Sequence, residues 1–244
     1  MRSVSIVIPA YNEEQRLPGS LDEVLNYAQS RRFSFVEILV VDDGSTDKTA
    51  AVVESVASRH PSVRLLRNSG NRGKGFSVKH GMLEARGDWI LSTDADLSAP
   101  IDQLDMLLKV ALDRNVDVVL GSRALDRSLI GVHQSASREY AGRVFNLIMR
   151  LITGLPFKDT QCGFKLYSRK AARQIFPRQR LDGFGFDVES LFLALQLGFD
   201  AIEVPVRWNN VEGTKVTLYQ GLNSFLDPLR VRLNHLLRKY RYAD

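Results

Sequence analysis

Two carboxylates one residue apart, Asp94 and Asp96, close the run Thr93-Asp94-Ala95-Asp96 just after the apolar Trp89, Ile90 and Leu91. At the mouth of a buried strand, that much negative charge in low dielectric is costly unless a cation or hydrogen bonds compensate it. A hard divalent ion is one such compensation. Oxygen ligands suit Mg²⁺ or Mn²⁺, and Mg²⁺ is usually held by one or two carboxylates together with substrate phosphates. The pattern therefore points to a metal-assisted nucleotide site, with Asp94 and Asp96 as the metal ligands. A turn is the competing reading, because Asp after a strand commonly caps the next helix.

Three further stretches carry residues of the same kind. Pro9-Ala10-Tyr11-Asn12-Glu13-Glu14 follows the run Val4 to Ile8; proline is expected to stop that strand, after which Tyr11 can stack on a base and Glu13 can accept its N–H groups. Asn12 capping a helix is the alternative. Asp42-Asp43-Gly44-Ser45-Thr46-Asp47 follows the run Val36 to Val41. Capping by Ser45 or Thr46 explains its tail but not its two adjacent acids, and Asp42 is expected to hydrogen-bond a base or ribose. Asn71-Arg72-Gly73-Lys74-Gly75 places glycines and cations before a helix, where Lys74 can meet phosphate. It fails the P-loop pattern, and a flexible turn with a solvated Lys is the other reading.

Strands are expected at 4–8, 36–41, 63–66, 89–93, 116–120 and 202–206. Helical patterns run from Glu14 to Ser30, Thr46 to Arg59, Gly75 to Ala85, Ile101 to Arg114 and Asp187 to Leu197. Alternation of nearly all-apolar strands with helices implies an α/β fold, a mostly parallel sheet covered on both faces. In such sheets ligands bind beyond the carboxyl ends of the strands, which is where these motifs fall.

With 244 residues, 44% apolar content and a formal charge of +5, the chain is long enough for a sizeable core and suited to anionic partners. The single Cys162 rules out an internal disulfide and a Cys-cluster zinc site, and fits a reducing compartment. No apolar run approaches the roughly 18 to 20 residues of a membrane span, and no leader-like segment opens the chain. A cytoplasmic protein with peripheral membrane contact is expected. A nucleic-acid-binding module would use the positive charge but has no use for carboxylates at strand ends.

Taken together, the motifs at strand ends one, two and four resemble the inverting family-two glycosyltransferases of GT-A fold. The runs Asn71 to Gly75, Asp94 to Pro100, Gly121-Ser122-Arg123, Asp159 to Phe164 and Pro205 to Val216 are similar to the dolichyl-phosphate glucosyltransferase branch. The resemblance implies a GT-A domain over 1–217, with a nucleotide-sugar half at 1–123 and an acceptor half at 124–217, followed by a basic amphipathic helical tail at 218–244. It implies that Pro9, Ala10, Tyr11, Glu13 and Asp42 hold the uracil or ribose. Asp94 contacts ribose and metal, Ala95 meets the sugar nucleotide through its backbone, and Asp96 binds Mg²⁺ or Mn²⁺. Lys74 and Lys215 meet the diphosphate, Lys215 from a lid. Mannosyl-transferring relatives carry Gln where this chain has Ser98.

The implied reaction moves a hexose, glucose from UDP-glucose, onto a polyprenyl or dolichyl phosphate. The alternatives are a saccharide hydroxyl acceptor, or GDP-mannose as donor. A hydroxyl must lose its proton to a base, whereas a phosphate acceptor is already anionic and needs cations. The stretch from Gly121 to Lys165 supplies Arg123, Arg127, Arg138, Arg143, Arg150, Lys158 and Lys165, with Arg123, Arg138 and Arg143 first as acceptor-phosphate ligands. Asp187 stands where relatives acting on hydroxyls carry their base; it either aligns the acceptor or a cation, or caps a helix after Gly183 and Gly185. In the tail, Leu222, Phe225, Leu226, Leu229, Leu233, Leu236, Leu237 and Tyr240 recur at helical spacing among arginines. Packing of that stripe on the domain is the commoner use of such a pattern, a membrane interface or a partner subunit the others.

Overall fold

The computed structural model describes residues 2–132, 136–210 and 226–241, the side chains of 136–143 and 145 aside. Its centre is a seven-stranded sheet in the order β3-β2-β1-β4-β7-β5-β8. The strands are β1 (Arg2–Ala10), β2 (Phe33–Asp42), β3 (Val63–Arg67), β4 (Trp89–Ser92), β5 (Val118–Ser122), β7 (Lys165–Ser168) and β8 (Ala201–Pro205). All pair in parallel except β7, which runs antiparallel to both β4 and β5. A small parallel pair, β6 (Ile130–Val132) and β9 (Trp208–Asn209), stands apart from the main sheet.

The helices α1 (Leu17–Ser30), α2 (Thr49–Ala57), α3 (Lys74–Glu84), α4 (Gln103–Arg114), α5 (Ala136–Thr153), α6 (Arg169–Ile175), α7 (Phe186–Gln196) and α8 (Asp227–Leu236) cover the sheet. Two buried apolar clusters result, one on each face: Ile6, Ile8, Ile38, Val40 and Leu91 on one, Val7, Leu39, Val41, Ile90 and Leu120 on the other. Alternate residues of one strand thus serve opposite cores, as the two-residue period of a strand requires. The α/β fold with a mostly parallel sheet is as the pattern predicts.

Two expectations are corrected. Pro9 does not end β1, which continues to Ala10 and pairs Pro9 with Val41. Val7 accepts from Thr93 N at the last rung of β4, so the donor Pro9 lacks points beyond that ladder and none is broken. β7 was absent from the predicted strands, being four residues long and opening on a lysine; antiparallel entry brings its first residue, Lys165, opposite Ser92 at the end of β4. The tail's stripe divides: Tyr240 and Val231 pack into the core and Pro228 is buried, Leu226, Leu229, Leu233, Leu236 and Leu237 are exposed, and Leu222 and Phe225 lie outside the described residues.

α3 approaches the sheet closely because Gly81 faces it: a Cβ there would lie 2.4 Å from Val7 Cγ1 and 3.0 Å from Val41 Cγ2. Gly81→Ala is expected to cost about 1–3 kcal/mol through overpacking, seen as a Tm drop of about 2–4 °C for each kcal/mol. An unchanged Tm would show that α3 can retreat freely.

Candidate active site

The loops after β1 and β2 are tied to each other before they can meet any ligand. Asn12, at φ 55°, accepts Thr46 N at 2.8 Å and donates its own N–H to Ser45 Oγ at 2.9 Å. Glu13 N donates to Thr49 Oγ1 at 2.7 Å. Asn12, Ser45 and Thr46 therefore cap no helix; they lock the two loops together, and Asp47 takes the capping role by accepting Thr49 N. Glu13 is buried and its carboxylate receives Arg16 at 2.6 and 2.7 Å. Tyr11 stands exposed at the rim.

The adjacent acids Asp42 and Asp43 divide their work. Asp42, at the end of β2 beside Ala10, accepts Ser45 N at 3.2 Å. Asp43 turns the other way and holds the next loop: it accepts Arg72 N at 2.9 Å, Gly73 N at 2.8 Å and Asn68 Nδ2 at 2.7 Å. Gly73 has φ 103°, a conformation that suits glycine. This loop delivers Lys74 to the first position of α3.

Lys74 is not a solvated side chain on a flexible turn. Its Nζ lies 2.6 Å from Asp94 Oδ1. Burial opposes the charge on both members, yet each favours the other's charged form: Asp94 titrates below the usual carboxylate range, with Lys165 and Arg123 adding to Lys74, and Lys74 titrates above the usual lysine range through Asp94, Asp187 and Asp96. Asp96, half-buried, accepts Ser98 N at 3.0 Å, so the Asp-Ala-Asp run is also a turn. Gly163 comes from the run before β7 and passes close over Asp94; a Cβ there would lie 2.4 Å from Oδ2.

These residues suit a hard cation in chemistry and in number. Among the described residues no three His, Cys, Asp or Glu side chains converge as a metal cage. Two carboxylates at an open rim leave the remaining positions of an Mg²⁺ or Mn²⁺ to water and ligand phosphate, the usual arrangement for such ions.

Asp187 lies one residue inside α7 and caps nothing; it is buried and paired with Lys165. Burial pushes its carboxyl above the ordinary range, against the pull of Lys165 and Lys74. Lys165, counted by sequence among the acceptor cations, is instead enclosed beneath the site, its Nζ also on Cys162 O. Arg123 is partly committed as well: Nε and Nη2 reach Asp159 at 2.7 and 2.8 Å, and the guanidinium stacks 4.8 Å from the Trp208 ring. The side chains of Arg138 and Arg143, and the whole of Lys215, lie outside the described residues.

The structure thus brings Asp94, Asp96, Lys74 and Asp187 to one edge of the sheet, with Pro9 to Glu13 and Asp42 at the ends of the neighbouring strands. Sequence reading overlooked the positioning partners Asp43 and Asp159 and the enclosure of Lys165. Asp43 carries a signal, since a second acid beside Asp42 has no capping role left to fill. The other pairings join residues from distant elements and leave no local trace.

A family model for glycosyl transferase family 2 matches residues 5–176. A dolichyl-phosphate beta-glucosyltransferase of Trichomonas vaginalis is 36% identical over 250 residues, 99% of this chain and 76% of the relative. One from Dictyostelium discoideum is 36% identical over 247 residues, 96% of this chain and 75% of the relative. Among solved structures, glucosyl-3-phosphoglycerate synthase from Mycobacterium tuberculosis, in complex with Mn²⁺, UDP and phosphoglyceric acid, superposes with a TM-score of 0.66 at 19% identity, covering 100% of this chain and 80% of that one. That likeness establishes the GT-A fold.

Removing Lys165 alone leaves Asp187 buried without its cation. Lys165→Met is expected to destabilise by about 3–5 kcal/mol, and Lys165→Met with Asp187→Leu to recover most of the loss. Urea unfolding of the single and double variants checks this; additive losses would show that the two side chains act independently.

Proposed function

Because the chain belongs to glycosyl transferase family 2, we propose that this glycosyltransferase moves glucose from UDP-glucose onto a dolichyl or other polyprenyl phosphate, with inversion at the anomeric carbon. The names of the relatives it matches support the sugar and the lipid. The observation that carries the choice of acceptor is the state of Asp187. A hydroxyl acceptor needs an available base, and this carboxylate is enclosed with Lys165 as its partner. A phosphate acceptor brings its own negative oxygen and asks only for cations.

In this reading Tyr11 stacks on the uracil, with Pro9, Ala10, Glu13 and Asp42 along uracil and ribose. Asp94 faces ribose and metal, the Ala95 backbone meets the sugar nucleotide, and Asp94 and Asp96 hold the Mg²⁺ or Mn²⁺. That ion, when bound, neutralises charge growing on the departing diphosphate. Lys74 stands beside the same oxygens and adds a fixed positive charge where the negative charge develops. Lys215 contributes another from the segment after β9. One oxygen of the acceptor phosphate bonds to the anomeric carbon as the bond to UDP breaks, and the electron pair leaves with UDP. Arg123 orients the acceptor through its remaining nitrogen, with Arg138 and Arg143 beside it; Asp187 keeps Lys165 and Lys74 in register.

The 1–123 half serves the donor, 124–217 the acceptor, and 218–244 contacts the membrane from its cytoplasmic side. Among the described residues no helix is long and apolar enough to cross a membrane.

Incubation with labelled UDP-glucose, a polyprenyl phosphate and Mg²⁺ or Mn²⁺ is expected to move label into the organic phase. Chelation, or Asp96→Ala, should lower the rate at least about a hundredfold. Label that passes only to a water-soluble saccharide would overturn the acceptor assignment.

A further inference from the structure

The residues of α8 and the turn after it are arranged against the usual logic of a surface helix. Leu226, Leu229, Leu233, Leu236 and Leu237 share one stripe at helical spacing and are 47–73% exposed. α5, which packs against α8, adds Val144, Leu147 and Leu151 at the same spacing, also exposed. The opposite side of α8 is already satisfied by the domain: Val231 is buried, His235 meets the Phe192 ring edge-on at 5.2 Å, and Asp227 sits against Gly185. Among the described residues nothing covers these leucines, and an exposed apolar stripe of this kind marks a contact with something else.

Charge identifies the partner. Between 226 and 241 the only acid is Asp227, which is buried and bonded by Arg230 at 2.9 Å, whereas Arg230, Arg232, Arg238, Lys239 and Arg241 are exposed around the stripe. Two copies placed face to face would bring these cations together, at a cost.

At the end of α8 an open depression of about 530 Å³ is lined by Arg180, Asn234, Lys239 and Arg241, with no carboxylate among the described residues of its lining. Asn234 is three residues from Leu237 on the helix surface, so the depression adjoins the stripe. Arg180 is aimed by a hydrogen bond from Nη2 to Lys239 O at 3.1 Å. Glu189 is turned into the protein, where it accepts Tyr240 Oη at 2.7 Å and the N–H groups of Arg180 and Leu181 at 3.0 and 2.8 Å.

We propose that the leucine stripe of α8 inserts into the interface of an anionic membrane, with the Arg180–Asn234–Lys239–Arg241 depression receiving a lipid phosphate headgroup. The choice of a bilayer as occupant rests on the lipid-acceptor reading above; the surface rests on its own residues. Apolar insertion and cationic attraction reinforce each other on such a surface. The same docking orients the molecule, because the loop from Arg180 to Gly185 runs from this depression to Asp187. Its carbonyl of Asp182 receives Phe76 N of α3 at 3.1 Å.

The test is cosedimentation of the full chain with vesicles of phosphatidylcholine alone or mixed with phosphatidylglycerol, without donor or acceptor. Binding to the anionic vesicles is expected. Lys239→Gln with Arg241→Gln should weaken it about fivefold per cation removed, and Leu233→Ser with Leu236→Ser should abolish it. All four side chains are exposed, and turnover of a water-soluble short-chain prenyl phosphate checks that both variants remain folded. Failure to bind anionic vesicles, or binding indifferent to the leucines, overturns the proposal. So does a concentration-dependent dimer that Leu233→Ser with Leu236→Ser dissolves, or inorganic phosphate that raises the Tm through Lys239 and Arg241 without competing with vesicles. Absence of vesicle binding by the unsubstituted chain, with its short-chain turnover intact, would refute the docking and spare the reaction; vesicle binding without any glucose transfer would do the reverse.

Discussion

Negative charge held at the carboxyl edge of the sheet is the constraint from which the rest of the site follows. Asp94 and Asp187 are each stabilised by a lysine from another element, Lys74 at the start of α3 and Lys165 at the start of β7. Neither carboxylate would be tolerated in its surroundings without that partner. The demand explains why β7 runs against its neighbours: only an antiparallel strand begins at the edge where the parallel strands end. It also explains two close approaches, Gly163 over Asp94 and Gly75 against the carbonyls of Leu181 and Gly183, since a side chain at either position would push the lysine-bearing elements away.

The carboxylates of the edge fall into two groups with different physical roles. Asp43 and Asp159 are buried and consumed by hydrogen bonds that set loops: Asp43 gathers the backbone before Lys74, and Asp159 gathers Arg123 through its side chain and backbone. Asp94 and Asp96 are half-buried and open to the rim. The first group builds the frame, and the second stays at the rim with the oxygen chemistry that suits a hard cation. Asp187 belongs with the first by its enclosure and its pairing with Lys165.

Local sequence made part of this legible. The alternation of apolar runs and helical patterns located six strands of the main sheet and most of the helices, because each of those elements buries enough of itself to impose a period. Asp94, Asp96 and Asp42 stood out because carboxylates directly after apolar runs are expensive without a purpose. β7 was illegible because four residues opening on a lysine impose no period, and Lys165 looked like a surface cation because nothing near it in sequence announces Asp187. The tail showed the opposite limit. Its period was plain, but a stripe of leucines reads the same whether it faces inward or outward, and only the burial of Val231 on the other side of α8 decides the direction.

Paramagnetic Mn²⁺ binding, followed by electron spin resonance in the presence and absence of UDP, probes the charged edge itself. Two rim carboxylates beside a lysine should hold the ion weakly alone and much more tightly once a diphosphate completes its coordination, and Asp94→Asn with Asp96→Asn should erase that gain. Mn²⁺ affinity that is the same with and without UDP, or that survives the double substitution, would contradict the account.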